Sequence, residues 1–473
     1  MSLWETTMRF SQAIRLSNSP CLALVGAGGK TTALFQLARE LTLSAETVIV
    51  TATTHLHVDQ IKLADSHWMM EKPDDLVDLQ KNLHGVMLIT GPLEGDRTTG
   101  LNAEILSRLR EVHDRHHLPL LIEADGSRQR PLKAPDEHEP VIPEFVDLVV
   151  VVAGLAGIGK PLTKEYVHRP EIFASLSGLN MGETITPGAL VRVFIHPSGG
   201  MKNIPLSSRR VAFLNQADTP ALQAQAKMIA KQLLSCFHSV VSASLNPQSM
   251  LPNQPPEIHA VYEPVAGIIL AGGGSSRFGQ PKQLLDWYGK PFVRVVVETA
   301  LTAGLSPVVI VTGAYAEKVE AALTNLPVTI VHNPVWQNGQ STSIQAGLRS
   351  LPHASFQDPS TMDEGFVEGW EGVGAAIFLL ADQPQVTPTI LQALDGEHSR
   401  TLAPIVAPLV AGQRANPVLF DRFTFPDLMV LSGDVGGRAI FSKVPVNYLT
   451  WHDESLLSDV DTQDEYRKLV NGE

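Results

Sequence analysis

Two glycine-rich segments, each following an apolar run and each carrying a lysine, are where residue type and spacing in this 473-residue chain imply chemistry. In the second, Leu270-Ala271-Gly272-Gly273-Gly274-Ser275-Ser276-Arg277 leads through Gly279 to Lys282. Glycines let successive backbone N–H groups converge on an anion, and Arg277 and Lys282 supply the charge that neutralises it. A plain strand-to-helix turn needs one or two glycines, not this length with two spaced cations. Further on, the apolar run Ala375 to Leu380 ends in Asp382, at the carboxyl edge where open α/β sheets bind ligands. A carboxylate there is costly unless it holds a cation, and Mg²⁺ takes one or two carboxylates besides phosphate oxygens and water. Asp461 is the candidate second ligand; Asp459 is its rival, and either could instead cap the helix that follows. The chemistry implied is the binding of a phosphate group beside a divalent cation, where any catalysis would rest on positioning and charge neutralisation.

The first glycine segment, Gly26-Ala27-Gly28-Gly29-Lys30-Thr31-Thr32, follows Leu22 to Val25 and is a variant of the phosphate loop. The usual spacing places a glycine where this chain has Leu24, so the loop is shortened or differently folded. Its expected chemistry is a set of N–H groups and a helix N-terminus facing an anion, with Lys30 on terminal phosphates and Thr31 on Mg²⁺. The run Leu120 to Ile122 ends in Glu123-Ala124-Asp125-Gly126, where a carboxylate would hold Mg²⁺ or orient a water. Asn215-Gln216-Ala217-Asp218 and Ser242-Ala243 follow two further apolar runs. They look like the guanine-reading and SA motifs of phosphate-loop GTPases, in which an Asp accepts hydrogen bonds from guanine N1 and N2. Gln216 stands where those motifs carry Lys, so GTP and ATP both remain candidate ligands. Arg128, Arg130 and Lys133 form a local cationic cluster that suggests a second anionic ligand.

The Ala271–Lys282 segment resembles the AGGxSxRxGxxK signature of the molybdenum cofactor nucleotidyltransferases, within the larger sugar-nucleotide-transferase-like group. The resemblance extends over roughly the last 210 residues. It includes Asn333-Pro334-x-Trp336-x-x-Gly339 with Ser341, Thr342 and Ser343, then Leu380-Ala381-Asp382-Gln383-Pro384, then Asn416-Pro417-Val418. Gly433-Asp434-x-Gly436-Gly437-Arg438 and Asp459-Val460-Asp461-Thr462 complete it. The Trp287 and Gly289-Lys290-Pro291-Phe292 context is most similar to the cytidylyl-transferring branch, although Ala415 and Asn416 stand where that branch has Gly and His. The resemblance implies CTP as nucleotide, molybdopterin or molybdenum cofactor as acceptor and Mg²⁺ as metal, with Asn333, Ser341, Asn416, Pro417, Gly433, Asp434 and Arg438 on the substrate side. The nearest alternatives are CMP transfer to methylerythritol phosphate and guanylyl transfer.

In the first half, the glycine segment, the run from Glu123 to Pro135, Glu137-His138-Glu139-Pro140 and Val167-His168-Arg169-Pro170 resemble the YqeC-type accessory proteins of selenium-dependent molybdenum hydroxylases. That resemblance implies a molybdenum hydroxylase of the xanthine dehydrogenase type as recipient, and leaves open a nucleotide hydrolase, a nucleotide-gated binding module and a scaffold.

These residues need strand ends and helix starts to position them. On either side of a proline-rich stretch the pattern is apolar run, glycine turn, helical pattern, apolar run, which argues for two parallel α/β sheets. The expected architecture is an N-terminal phosphate-loop NTPase-like sheet over residues 1–245, a linker over 246–263, and a C-terminal Rossmann-like nucleotidyltransferase sheet over 264–473. Leu34, Leu37, Ala38 and Leu41 should bury one helix face, and Phe292, Val295, Val296 and Ala300 another. The acidic stretch from Pro352 to Gly374 reads as a surface loop. Length alone favours at least two cores. The composition, 44% hydrophobic and 18% charged, excludes a disordered chain, and no run approaches a membrane span. A net charge of −13 disfavours a bulk nucleic-acid partner. Two cysteines, Cys21 and Cys236, without a secretory leader pattern point to a reducing cytoplasmic setting.

Overall fold

The computed structural model describes residues 8–76, 83–245, 256–274, 278–352, 370, 372–460 and 462–471. Ser275, Ser276, Arg277, Asp461 and most of the acidic 352–374 stretch lie outside the described residues. The chain divides into two compact units, Met1–Tyr262 and Glu263–Glu473. Among the described residues no helix is long and apolar enough to cross a membrane.

In the first unit β1 (Cys21–Gly26) runs into α1 (Lys30–Leu41), followed by β2 (Thr47–Ala52), β3 (Ser66–Met69) and β4 (Gly85–Thr90). Then come α2 (Ala103–His116), β5 (Leu120–Glu123), β6 (Leu148–Gly154), α3 (Pro187–Ile195), β7 (Arg209–Asn215), α4 (Pro220–Leu233), β8 (Ser239–Ser244) and β9 (Glu257–Tyr262). The nine strands form one sheet in the order β9-β8-β7-β6-β1-β5-β2-β4-β3. All neighbours are parallel except β9, which is antiparallel to β8. The central strands β1, β2, β5 and β6 are buried along nearly their whole length. Continuous apolar runs of this kind are what a sheet covered on both faces requires. Helix ends are set locally: Asn102 caps α2 by accepting from the Ile105 N–H at 2.9 Å, and Thr219 with Pro220 starts α4.

Residues 257–262, which the proline count assigns to the linker, form β9. Their partners on β8 run from Val240 opposite Tyr262 to Ser244 opposite Glu257. Ala260 and Val261 are buried there, a signal too short to stand out beside five prolines.

In the second unit β10 (Val265–Ala271) is followed by α5 (Phe292–Ala303), β11 (Val308–Thr312), β12 (Thr329–His332), α6 (Gln340–Arg349) and β13 (Ala375–Leu380). Then come α7 (Pro388–Thr401), β14 (Ile405–Val410), β15 (Gln413–Arg414), β16 (Val418–Asp421), β17 (Val446–Trp451) and α8 (Gln463–Asn471). The sheet order is β12-β11-β10-β13-β16-β14-β15, with β17 also paired to β14. Alternate residues of β10 feed two cores: Ile269 and Ala271 pack with Val293, Val296 and Val297 of α5, Ile268 with Ile344 and Leu348 of α6. The inward face of α5 therefore includes Val293 and Val297, while Val295 is only half-buried.

The expected parallel sheet holds from β12 through β11 and β10 to β13, whereas β16 is antiparallel to both β13 and β14. The cause is local. Ala411 (φ 46°) and Gly412 (φ 79°) make a two-residue turn between β14 and β15, a connection that joins only antiparallel strands.

Candidate functional site

In the second unit the chemistry converges where β10 and β13 leave the sheet side by side. Leu270 is in register with Leu380 on the parallel neighbour, so Gly272 and Asp382 emerge at equivalent positions at the carboxyl edge. Both line a cavity of about 670 Å³, with Gly273, Gln283, Trp336, Gly339, Gln340, Ser343 and Asp434 among the other lining residues. Leu270 and Ala271 contribute to the same wall. Gln283, almost fully buried, donates to the Ala271 and Gly273 carbonyls, each at 3.3 Å, and braces the glycine segment. A Cβ on Gly274 would lie 3.0 Å from the Trp336 ring, a tight contact that would press the indole aside by a few tenths of an ångström.

The sequence-predicted residues of this unit separate into three groups. Asp382, half-buried, and the Gly272–Gly273 backbone face the cavity. Asn333 and Ser341 are buried and act as ties. Asn333 donates to Thr342 Oγ1 at 2.8 Å and Ser343 Oγ at 3.0 Å, and Ser341 Oγ donates to the Gly433 carbonyl at 2.7 Å. That tie brings Asp434 to the start of α6, where it accepts from the Gln340 N–H at 3.4 Å. Lys282 opens a short turn, Lys282–Leu284, and Gly279 sits just before it at φ 80°. Asn416 and Pro417 precede β16 through a cis peptide bond, and the exposed Arg438 sits in the turn Gly437–Ile440; the cavity wall does not include these three. Asp459, the rival ligand, is tied to Gln383 Nε2 at 3.1 Å. Gln283 and Gln340 were not predicted. The first has no motif of its own, and the second falls between two motif residues.

Among the described residues no group of three His, Cys, Asp or Glu side chains could hold a metal ion. Asp382, a half-buried carboxylate at the cavity wall beside a glycine backbone, nevertheless fits Mg²⁺, which is held mainly by phosphate and water oxygens.

In the first unit the glycine segment joins β1 to α1 with Gly26, Gly28 and Gly29 all at positive φ. A Cβ on Gly28 would meet the Gly154 nitrogen at 2.2 Å. The loop N–H groups are not turned toward an open anion site, which corrects the sequence expectation. Gly26 N–H donates to both Asp125 oxygens, at 3.1 and 3.0 Å. Ala27 N–H donates to the Val152 carbonyl at 2.9 Å and Gly28 N–H to the Arg130 carbonyl at 3.0 Å. With Leu24 in place of the outer glycine, the short loop is pinned between the end of β6 and residues 130–131. Thr31 and Thr32 are half-buried on the first turn of α1.

Lys30 is buried. Its Nζ donates to the Gly26 carbonyl at 2.7 Å and lies 3.2 Å from Asp125 and 3.9 Å from Glu123. The two carboxylates of the Glu123–Asp125 pair face different groups. Thr31 Oγ1 donates to Glu123 at 2.9 Å, whereas Asp125 also binds Lys133 Nζ at 2.8 Å. Burial pushes the Glu123 carboxyl above its ordinary range against the pull of Lys30 and the Thr31 hydroxyl. A hydroxyl against a carboxylate at a helix start is a donor set that suits Mg²⁺.

The expected cationic cluster is split. Arg128 is exposed, but Lys133 is buried and spent on Asp125, Glu139 at 2.8 Å and the Gly126 carbonyl. Arg169 grips Glu139 in turn. Burial would raise the Glu139 pKa, yet the hydrogen bonds from Arg169 and the Lys133 charge bring it down to about 2. Asn215 fastens the loop, donating to the Gly28 carbonyl at 2.8 Å and accepting from Leu245 N–H at 2.8 Å; Asp218 is exposed. Cys21 is buried, and burial foremost, with Asp147, pushes its thiol up to about 12, an inert small hydrophobe.

Two family models match the chain: one described as YqeC protein over residues 22–171, the other as MobA-like NTP transferase domain over residues 267–448. The uncharacterized protein YqeC of Escherichia coli is 36% identical over 204 residues, 41% of this chain and 75% of that protein. The nicotine blue oxidoreductase of Paenarthrobacter nicotinovorans is 30% identical over 216 residues, 44% of this chain and 96% of its own. A Bacillus cereus protein named a probable molybdenum cofactor guanylyltransferase is 29% identical over 156 residues, 33% of this chain and 66% of its own.

Proposed function

Because the chain belongs to the YqeC family through its first unit and to the MobA-like NTP transferase family through its second, we propose that it is a molybdenum cofactor cytidylyltransferase fused to a nucleotide-binding maturation domain. The second unit transfers CMP from CTP to the terminal phosphate of molybdopterin or its molybdenum form. A phosphate oxygen of the acceptor bonds the α-phosphorus, the α–β bridging bond breaks, and pyrophosphate carries away the electron pair. The observation that carries this reading is the shared emergence of Gly272 and Asp382 into one cavity from adjacent parallel strands.

Each group has a role in that geometry. Gly272 and Gly273 let the backbone approach the triphosphate, and Lys282 and Arg277 offset its charge. Asp382 would hold Mg²⁺, with Asp461 as the second carboxylate; the ion supplies charge neutralisation at the reacting phosphates when bound. Asn333, Ser341 and Asp434 keep the start of α6 against the cavity. The molybdenum acceptor is supported by the name of the Bacillus cereus relative, and CTP by the Trp287 to Phe292 context.

The first unit is read as a phosphate-loop nucleotide site built on Lys30, Thr31 and Glu123, with GTP favoured by Asp218. It hydrolyses the nucleotide or is gated by it to hand product to a hydroxylase of the xanthine dehydrogenase type. Fusion raises the effective concentration of one unit near the other. Incubating the full chain with molybdenum cofactor, Mg²⁺ and either CTP or GTP, and measuring pyrophosphate, tests the transferase reading. Pyrophosphate with CTP is expected. Release only with methylerythritol phosphate, or oxidation of a nicotinamide nucleotide without pyrophosphate, would overturn it. Phosphate release lost in Lys30→Ala separates hydrolysis from gated binding.

A further inference from the structure

Three donors that would suit a bound phosphate converge instead on a carboxylate of the chain itself. Asp125, about 2% exposed, accepts the Gly26 N–H at 3.0 and 3.1 Å, faces Lys30 Nζ at 3.2 Å and binds Lys133 Nζ at 2.8 Å. Two ammonium groups and a loop amide around one anion make a built anion site, and its occupant is internal. The surroundings close the charge balance without any ligand. Lys133 also binds Glu139, and Arg169 holds both Glu139 and Asp136. Lys30, Lys133 and Arg169 thus stand against Asp125, Glu139 and Asp136.

On the reading of Lys30 as a triphosphate site, we infer that Asp125 is an internal competitor for the phosphate, and that nucleotide binds by taking Lys30 from Asp125 while Lys133 retains the carboxylate. Lys133 bridges two single carboxylates, but a triphosphate carries several negative charges, and placing it a few ångströms from Asp125 on a shared Lys30 is opposed by like-charge repulsion. The incoming phosphate therefore needs Lys30 released, and the cost depends on how well Asp125 is held without it. Lys133 supplies that hold. Its link through Glu139 to Arg169 ties the state of the loop to residues 137–140 and 167–170, the YqeC-like segments that the nucleotide site does not otherwise use.

The idea gives opposite signs for two neighbouring residues, neither of which needs to touch the nucleotide. Asp125→Asn removes the competing charge and should tighten binding. Lys133→Met leaves Lys30 as the only ammonium on Asp125 and should weaken it. The measurement is equilibrium dialysis of labelled GTP and ATP with Mg²⁺ against the full chain, taking the component lost in Lys30→Ala, so that nucleotide on the second unit is subtracted. Thermal melts confirm that each variant is folded. The expected shifts in the Lys30-dependent Kd are about tenfold tighter for Asp125→Asn and about tenfold weaker for Lys133→Met, the scale of one charge–charge contact. Weaker binding by Asp125→Asn would make the carboxylate a ligand of the bound nucleotide and overturn the inference, as would no change in either variant. Should Asp125→Asn not fold, the sign for Lys133→Met decides. No Lys30-dependent binding in wild type or in any variant would instead remove the nucleotide reading of this unit.

Discussion

Arg169 holds Glu139 with two guanidinium nitrogens, at 2.6 and 3.0 Å, and so anchors the far end of the ion chain that begins at Lys30. Glu139 has a folded pKa of about 2 against an ordinary 4.5. A carboxyl with a depressed pKa contributes stability that is fully present above pH 4.5 and lost as pH falls toward 2. The shift corresponds to at most about 3 to 4 kcal/mol before solvent screening is discounted. Glu139→Gln should therefore lower the Tm of the first unit at pH 7 and flatten its decline between pH 4.5 and 2, as followed by circular dichroism melts. An unchanged pH profile would show that the pair carries no net stability.

His168 acts in the same direction over a higher window. Burial first, then the positive charges of Arg169, Lys133 and Arg128, lower its pKa from 6.5 to about 4. The folded state thus binds fewer protons than the unfolded state between those values, so stability falls as pH drops from 6.5 to 4. His168→Gln should remove that part of the acid sensitivity and leave the Glu139 part below pH 4.5 in place. Histidine C–H chemical shifts followed by NMR through the same range would report the titration directly.

How far this could be read in advance depended on whether a residue's partner was near in sequence. The strands ending at Gly26, Glu123 and Leu380 are legible because uninterrupted apolar runs leave little choice of structure, and the position of Asp382 at the sheet edge is legible because it follows such a run. Lys133 reads in sequence as part of a ligand cluster because its partners, Asp125 and Glu139, are brought to it by the parallel pairing of β1 with β5 and the fold of residues 124–140. Gln283 had no signal at all, since its role is to bond the backbone of a segment ten residues earlier. Asn215 was found by a base-recognition motif, but its side chain fastens the glycine loop to Leu245.

Glu123 tests whether burial or its cationic neighbour governs the α1 site. Its pKa is raised, with burial the largest cause, so the ionised form is disfavoured in the folded state and stability decreases as pH rises through the folded pKa. Glu123→Gln should keep or raise the Tm at pH 8 relative to wild type, and should reduce Mg²⁺-dependent nucleotide binding at the Lys30 site. A lower Tm at pH 8 would place the ionised carboxylate, through Lys30 and Thr31, among the stabilising groups.

Asp382 should carry turnover and little stability, because it is half-buried at a cavity wall rather than packed in a core. Asp382→Ala is expected to cut pyrophosphate release by about a hundredfold or more while the melting profile of the second unit stays near wild type. Substantial residual turnover at saturating Mg²⁺ would remove this residue from the reaction.

Gly28 is a position where the loop and the sheet come into close backbone contact, and its substitution should fail for two separable reasons. Its φ of 82° lies in the left-handed region, and a Cβ would sit 2.2 Å from the Gly154 nitrogen and 2.8 Å from the Pro131 carbonyl oxygen. Both neighbours are backbone, so neither can move aside as a side chain would. Gly28→Ala should destabilise the first unit by about 3 kcal/mol, combining strain and overpacking, and should displace Lys30, lowering Lys30-dependent nucleotide binding. Gly126→Ala is the control: no atom lies within 4 Å of its added Cβ, and its effect should stay within about 0.5 kcal/mol. Urea unfolding of both variants followed by circular dichroism gives the comparison, and equal stability of the two would mean that the β1–α1 loop can leave β6 without cost.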